Sequence, residues 1–348
     1  MTRFSIALSG LLLLGACKAK QINSSESQSD GLQQDSNDFV IAFGSCNKTN
    51  QENVFWDDIL QENPNVWVWG GDNIYADTKD MQKMEAMYVE QKNVSGYKTL
   101  SAKVPVIGTW DDHDYGANDA GKEFSKKEES QQLFLDFFNV PKNDPRRERE
   151  GIYAARTFDW GKGSVKIITL DTRYFRSILE KDTDSKRRYK INKQEDATVL
   201  GDAQWKWLEA ELSNSEADFN VIVTSIQFLS WEHGFETWGN YPKEVERLKQ
   251  LLIKTQAKRV FFLSGDRHIS EFSKTEIEGL DHPLWDFTSS GLTHSYKNFK
   301  GEPNQYRVGE VVFVPSYGVV RLDLENKKAN FKIMGENGRI LQEVVQSY

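Results

Sequence analysis

Five short polar clusters in this 348-residue chain carry residue types that could hold metal ions. They are Gly44-Ser45-Cys46-Asn47, Gly71-Asp72-Asn73-Ile74-Tyr75, Trp110-Asp111-Asp112-His113-Asp114, Asp171-Thr172-Arg173 and Gly265-Asp266-Arg267-His268. Carboxylates brought together without a cation repel one another and raise their own pKa values, so Asp72, Asp112 and Asp266 in one place call for bound metal. Their hard oxygens suit Mg, Ca, Mn or Fe, while the imidazole of His268 suits Fe or Zn. A phenolate from Tyr75 and a thiolate from Cys46 tilt one position towards ferric iron. Two adjacent cations would draw phosphate into an acidic pocket. They would also activate water near neutral pH and stabilise both oxygens of an in-line displacement. Taken singly, the pieces are weaker. Gly-Asp is common in turns, and a lone cysteine is more often a small buried hydrophobe. Asp111-Asp112-His113-Asp114 is harder to explain by packing, because it follows directly on Val-Pro-Val-Ile-Gly-Thr-Trp. Asp266 and His268, at i and i+2, would project to one side of an extended segment.

The elements that must position these residues are apolar runs. Stretches rich in Val and Ile predict strands over 39–44, 66–70, 104–109, 165–170, 221–225 and 260–264, buried on both faces. Helices are predicted over 128–138, 203–212 and 242–255. In the second, Trp207, Leu208 and Leu212 share a face and Asp202 is placed to cap the start. In the third, Pro242 opens the helix and Val245, Leu248, Leu251 and Leu252 form its apolar stripe. Runs over 311–314, 319–324 and 331–334 add strands near the C-terminus, with Gly-Asn and Asn-Gly turns and no internal repeat. The alternation predicts an α/β fold. Ligands of open α/β sheets bind beyond the carboxyl ends of the strands, where the five clusters would converge.

Read in order, the motifs resemble those of the PhoD-like alkaline phosphatases, a branch of the metallophosphoesterase superfamily. The likeness rests on Phe43-Gly44-Ser45-Cys46-Asn47, on Gly71 to Asp77 and on Trp110-Asp111-Asp112-His113-Asp114-Tyr115-Gly116-x-Asn118-Asp119. It continues through Leu170 to Arg176, Leu200-Gly201-x-x-Gln204-x-x-Trp207-Leu208 and Ser264-Gly265-Asp266-Arg267-His268, covering roughly residues 39 to 275. The resemblance implies a four-layer αββα sandwich of two mixed β-sheets around a multinuclear metal centre. It implies that Asp72 bridges the metals, that Cys46 and Tyr75 bind iron, and that Asp266 and His268 complete the shell. Asn118 would bind a second metal, often calcium in this family, and Asp112 falls where relatives carry a metal-binding Asn. His113 would protonate the leaving oxygen, held by Asp114 or Asp111. Arg173 and Arg267 are candidates for the phosphate clamp, since a planar guanidinium matches phosphate bidentately; a buried pair with Asp171 is the alternative for Arg173. The sequence departs from many metallophosphoesterases, which open with Asp-x-His and close with Gly-His-x-His. The histidine expected after the fifth strand is replaced by Ser225-Ile226-Gln227. An Fe3+ centre with Ca2+ is favoured over Zn2+ or Mn2+.

Composition agrees with an enzyme of this kind. With 44 Lys+Arg against 52 Asp+Glu and a net charge of -8, the chain lacks a broad basic footprint for nucleic acid. Apolar residues at 38% and 10 Trp supply a large core. The N-terminus is for targeting: Arg3 precedes an apolar run from Phe4 to Leu14, too short to span a bilayer. Leu14-Gly15-Ala16-Cys17 resembles a bacterial lipobox. Residues 1–16 are therefore expected to be a lipoprotein signal peptide, Cys17 the lipidated residue, and 17–38 a polar tether. A lipidated Cys17 leaves Cys46 without a disulfide partner. Residues 39–348 form the expected PhoD-like domain.

These readings predict an exported, lipid-anchored phosphoesterase of the cell envelope acting on phosphomonoesters or phosphodiesters. Two further readings stand beside it: a surface lipoprotein that only binds metal or phosphate, and a hydrolase of other esters on the same scaffold. Loops 115–150 and 228–242 would set substrate scope. Phe235, Trp238 and Tyr241 are expected to cover the core, with an apolar wall for the leaving group as the alternative. Residues 142–149 are expected to form a solvated basic loop, with holding anionic substrate as the alternative, and His233 to lie on the surface, with a substrate loop as the alternative. His282 and His294 receive no role, and oligomeric state has no signature.

Overall fold

Side chains along the central strands alternate between two apolar environments, and this alternation sets the layers. In the computed structural model, which describes Met1 and residues 38–348, fifteen strands are found. They are β1 (Phe39–Gly44), β2 (Val66–Gly70), β3 (Val106–Thr109), β4 (Ala154–Trp160), β5 (Gly163–Thr169), β6 (Glu180–Lys181), β7 (Tyr189–Lys190) and β8 (Phe219–Val223). The remainder are β9 (Val260–Ser264), β10 (Ser270–Thr275), β11 (Leu284–Ser289), β12 (Arg307–Val312), β13 (Tyr317–Asp323), β14 (Lys328–Met334) and β15 (Ile340–Ser347). The helices are α1 (Trp56–Gln61), α2 (Met81–Asn93), α3 (Ser95–Lys103), α4 (Asp112–Tyr115), α5 (Lys127–Phe137), α6 (Gly201–Ser213) and α7 (Pro242–Thr255).

One sheet has the order β15-β14-β13-β1-β2-β3, the other β12-β10-β11-β9-β8-β5-β4, and β6 pairs only with β7. Both large sheets are mixed. In the first, β1, β2 and β3 run parallel while β13 pairs antiparallel with β1. In the second, β5, β8, β9 and β11 run parallel, with β4 and β10 antiparallel to their neighbours. Along β1, Phe39, Ile41 and Phe43 meet Val165, Val221 and Phe261 of the facing sheet. Val40 and Ala42 point instead to Trp56, Met84 and Leu100 on the helices. Along β9, Phe261 and Leu263 face inward while Val260 and Phe262 pack on Trp205 and Leu208 of α6 and Leu248 of α7. Two sheets face to face with helices outside is the αββα sandwich.

Several elements differ from the sequence reading. Strand β4 is an additional hairpin partner of β5 that lies at a sheet edge, with no continuous apolar run to signal it. Strand β3 starts at Val106 and is half-buried, as an edge strand. Strand β12 ends at Val312, leaving Phe313 and Val314 exposed. Helix α6 begins at Gly201, before Asp202, so Asp202 sits in the first turn and caps nothing. The Gly201 N–H is satisfied by the Thr198 hydroxyl at 2.9 Å instead. Trp205, not Trp207, is the buried tryptophan of that helix. Residues 1–16, Cys17 and the tether up to residue 37 lie outside the described residues, apart from Met1. No helix among the described residues is long and apolar enough to cross a membrane.

Candidate metal centre

The ends of β1, β2 and β9 turn sharply, and four of the candidate ligands lie on those turns. Cys46, Asp72, Asp266 and His268 all adopt left-handed backbone, with φ of 60°, 51°, 69° and 55°. A non-glycine residue in this region costs on the order of 1 kcal/mol or more, and such outliers gather at functional sites. The segment after β9 is therefore not extended, contrary to the i, i+2 argument, yet both side chains reach the same hollow.

There the ligands meet. The Cys46 thiol donates to Asp72 Oδ2 at 3.3 Å and lies 3.1 Å from the Ser290 hydroxyl. The Tyr75 hydroxyl donates to the same Asp72 oxygen at 3.2 Å and sits 3.0 Å from His268 Nε2. Three overlapping sets bring their ligand atoms within 4.8 Å of one another: Cys46, Asp72 and His268; Asp72, Asp112 and His113; Asp111, Asp112 and Asp266. Asp72 belongs to two sets, as a bridging carboxylate should.

Electrostatics fits bound cations. Burial, reinforced by Cys46, Asp112 and Asp111, holds Asp72 well above the ordinary carboxylate range. Asp266 is raised in the same way by burial, Asp111 and Asp112. Burial pushes the Cys46 thiol up to about 11 and raises Tyr75, with Asp72 adding to the latter. Asp72, Asp266, the thiol and the phenol resist ionisation, whereas burial of Asp112 is outweighed by Arg173 and His113, which hold it below the ordinary carboxylate range; together they form a donor set that a metal would ionise.

His113 stacks on Tyr75 with ring centroids 4.2 Å apart. Its Nδ1 contacts Asp77 at 2.7 Å, so Asp77, rather than Asp114 or Asp111, holds the ring. Burial works to lower its pKa, but Asp72, Asp77 and Asp112 outweigh it and raise the group to about 10. Asp114 instead fixes the loops. It accepts from the backbone N–H of Asp72 at 3.2 Å, of Asn73 at 3.3 Å and of Asp111 at 2.7 Å, and from the Asn73 amide at 2.6 Å. Burial raises it to about 8.

The two arginines part company. Arg173 is fully buried, and its guanidinium pairs with Asp111 and, at 2.7 Å, with Glu236; its backbone N–H donates to Asp171. With every face engaged it is not presented as a clamp. Arg176 joins the network, 2.8 Å from Glu236. Arg267 lines a cavity of about 280 Å³ with Asp112, His113, Asn118, Asp266 and His268. It lies over the Phe235 ring and pairs with Glu302 at 2.9 Å. Asn118 reaches this cavity from an exposed position.

The sequence profile of PhoD-like phosphatases matches residues 41–341, from β1 into β15. The chain belongs to that family. It is 25% identical over 250 residues to alkaline phosphatase D of Bacillus subtilis, an alignment covering 64% of this chain and 42% of the relative; the chain thus spans under half of that protein's length. Among solved structures, one of PhoD superposes with a TM-score of 0.70 at 18% identity, covering 89% of this chain and 68% of the other. A dimetal phosphatase from Danio rerio gives 0.54 at 13% identity, covering 90% and 99%. At these identities the structural likeness is one of fold.

In the PhoD-like frame, three residues of the centre were not singled out by sequence. Asp77 lies within the Gly71–Asp77 motif, so its signal was present but unassigned. Ser290 contacts the Cys46 sulfur and accepts the His268 N–H at 2.8 Å. His294 packs its ring 4.4 Å from His268 and 5.2 Å from Tyr75, from a loop with no strand-end motif. His282 accepts the N–H of Val260 at 2.9 Å and serves the fold. His233 is half-buried, not on the surface. Trp238 and Tyr241 are core, as expected, whereas Phe235 walls the cavity.

Proposed function

We propose that the protein is an exported, lipid-anchored, metal-dependent phosphoesterase that hydrolyses phosphate esters. One observation carries this reading: three ligand sets that share Asp72 and Asp112 open onto a cavity holding His113 and Arg267. Cys46, Tyr75, Asp72 and His268 would hold a ferric ion, and Asp72, Asp112, Asp266 and Asn118 a calcium. Zn2+ would accept the thiolate, so the phenolate of Tyr75 is what favours ferric iron, and Mn2+ prefers oxygen donors to a thiolate. Bound metals supply charge neutralisation for phosphate and an activated water. His113, with Nδ1 fixed by Asp77, presents Nε2 as the proton donor to the departing oxygen. Arg267, anchored on Glu302 and Phe235, binds a phosphate oxygen. Signal residues 1–16 and Cys17 support export and anchoring.

Elemental analysis of purified protein beside turnover of an aryl phosphate and an aryl phosphodiester tests the reading. Stoichiometric metal with turnover is expected. Binding without turnover would turn the protein into a surface binding module, and metal-free turnover would sink the proposal. Tyrosinate on ferric iron should give a visible absorption band that Tyr75→Phe abolishes; colourless active protein would remove iron alone.

A further inference from the structure

A large cavity lies away from the metal centre, at the open edge of the sandwich. Edge strand β3 of one sheet and edge strand β4 with β5 of the other diverge there, leaving about 620 Å³ unfilled. Three apolar clusters come to this opening. Ile107 and Ile167 belong to the layer between the sheets, Phe134 and Ile152 to the cluster around α5, and Trp207 to the outer layer of α6. Its size lies within the range of small-molecule sites, which are mostly apolar with a few placed polar groups.

The charged side chains here are three arginines, Arg146, Arg149 and Arg156, and two acids. Of the acids in the lining, Asp144 is taken by Arg146 at 2.8 Å and Glu211 by Lys166 at 2.6 Å. Arg149 and Arg156 also line the cavity, and no carboxylate pairs with either among the described residues. Arg149 lies 3.6 Å over the Tyr153 ring, which packs 4.7 Å from Trp207. Its guanidinium donates to the Tyr153 carbonyl, and burial pulls it below its ordinary pKa. Arg156 is exposed, in contact with the face of Phe158. A half-buried guanidinium with no carboxylate in direct contact is costly, and the more distant Asp144 and Asp171 offset it only in part.

We infer that this opening binds an amphiphilic anion, its apolar chain lodged between the sheet edges and its carboxylate or phosphate-type head on Arg149 and Arg156. The site is independent of the phosphoesterase reading, since none of its residues belongs to the metal centre. Calorimetric titration of the full chain with octanoate, decanoate and dodecanoate tests it. One molecule per chain should bind, tightening about tenfold for each two methylenes buried. Neutral 1-decanol should bind at least tenfold more weakly than decanoate, and decylphosphonate shows which head is preferred. Arg156→Glu, on an exposed strand position, should weaken decanoate and decylphosphonate about tenfold, spare decanol, and leave the melting temperature unchanged. Affinity that ignores chain length, or anion binding that survives Arg156→Glu, would overturn the assignment, as would no binding at all.

Discussion

Two groups of buried carboxylates touch in this protein, and they are balanced in different ways. On one side, Asp111 and Glu236 face the guanidiniums of Arg173 and Arg176 in a sealed network of two acids and two bases. On the other, Asp72, Asp112 and Asp266 gather with Cys46 and Tyr75, and among the described residues no lysine or arginine pairs with those three acids. Burial pushes up the acids in both groups. The arginines restrain the rise, leaving Asp111 at about 6 and Glu236 at about 7. In the second group neighbouring acids add to the effect on Asp72 and Asp266, which stand well above the ordinary range, while burial of Asp112 is outweighed by Arg173 and His113, which hold it below. Where the chain provides its own counter-charges it builds structure. Where no lysine or arginine pairs directly with the acids, beside strained backbone, it leaves room for cations from outside.

That contrast can be broken by experiment. Asp72→Ala removes the carboxylate shared by two ligand sets and should lower phosphodiester turnover by a factor on the order of 10³ or more. Bound metal should fall in parallel by elemental analysis; undiminished activity would end the metal reading. Arg173→Met strips the balanced side of a cation and leaves two buried acids partly uncompensated, at a cost of about 3–5 kcal/mol. Urea unfolding should show this loss, and a variant as stable as wild type would deny the network its structural role.

Metal removal sharpens the comparison through pH. An unfolded carboxyl titrates near 4, whereas burial raises Asp111 to about 6 and Asp114 to about 8. Folded chelated protein thus binds more protons than unfolded protein across roughly pH 4–8. The contribution of these groups to stability is full below about pH 4 and is lost as pH rises through the folded values. The fall in unfolding midpoint caused by a chelator should therefore be larger at pH 8 than at pH 5. The smallest effect is expected from Asp77→Asn, which keeps His113 in place but weakens its support. Turnover should drop about tenfold, and the alkaline limb of the pH profile should move to lower pH.

The strand ends were legible because chemistry and pattern coincide there. Cys46, Asp72 and Asp266 each follow a buried apolar run within a few residues, Asp112 follows the half-buried β3, and all four reach the same centre. Arg173 looked like a clamp for the same reason, yet its surroundings are made by Glu236, sixty-three residues on in a loop without periodicity. Asp77, Ser290 and His294 reach the centre through loop geometry, which side-chain spacing does not encode. The left-handed turns at Asp266 and His268 defeated the extended-strand argument although both residues arrived where expected. Strand β4 escaped because an edge strand exposed on both faces carries no hydrophobic rhythm.

The ligands come from both halves of the sandwich: Cys46, Asp72 and Asp112 beyond β1, β2 and β3, Asp266 and His268 beyond β9 of the opposing sheet. They span more than two hundred positions of chain, so the centre cannot assemble until the halves have docked. Once cations are seated, they act as a rivet through that seam. Parting the halves would then require releasing the ions, which makes the holoprotein slow to come apart even where its resting stability is ordinary.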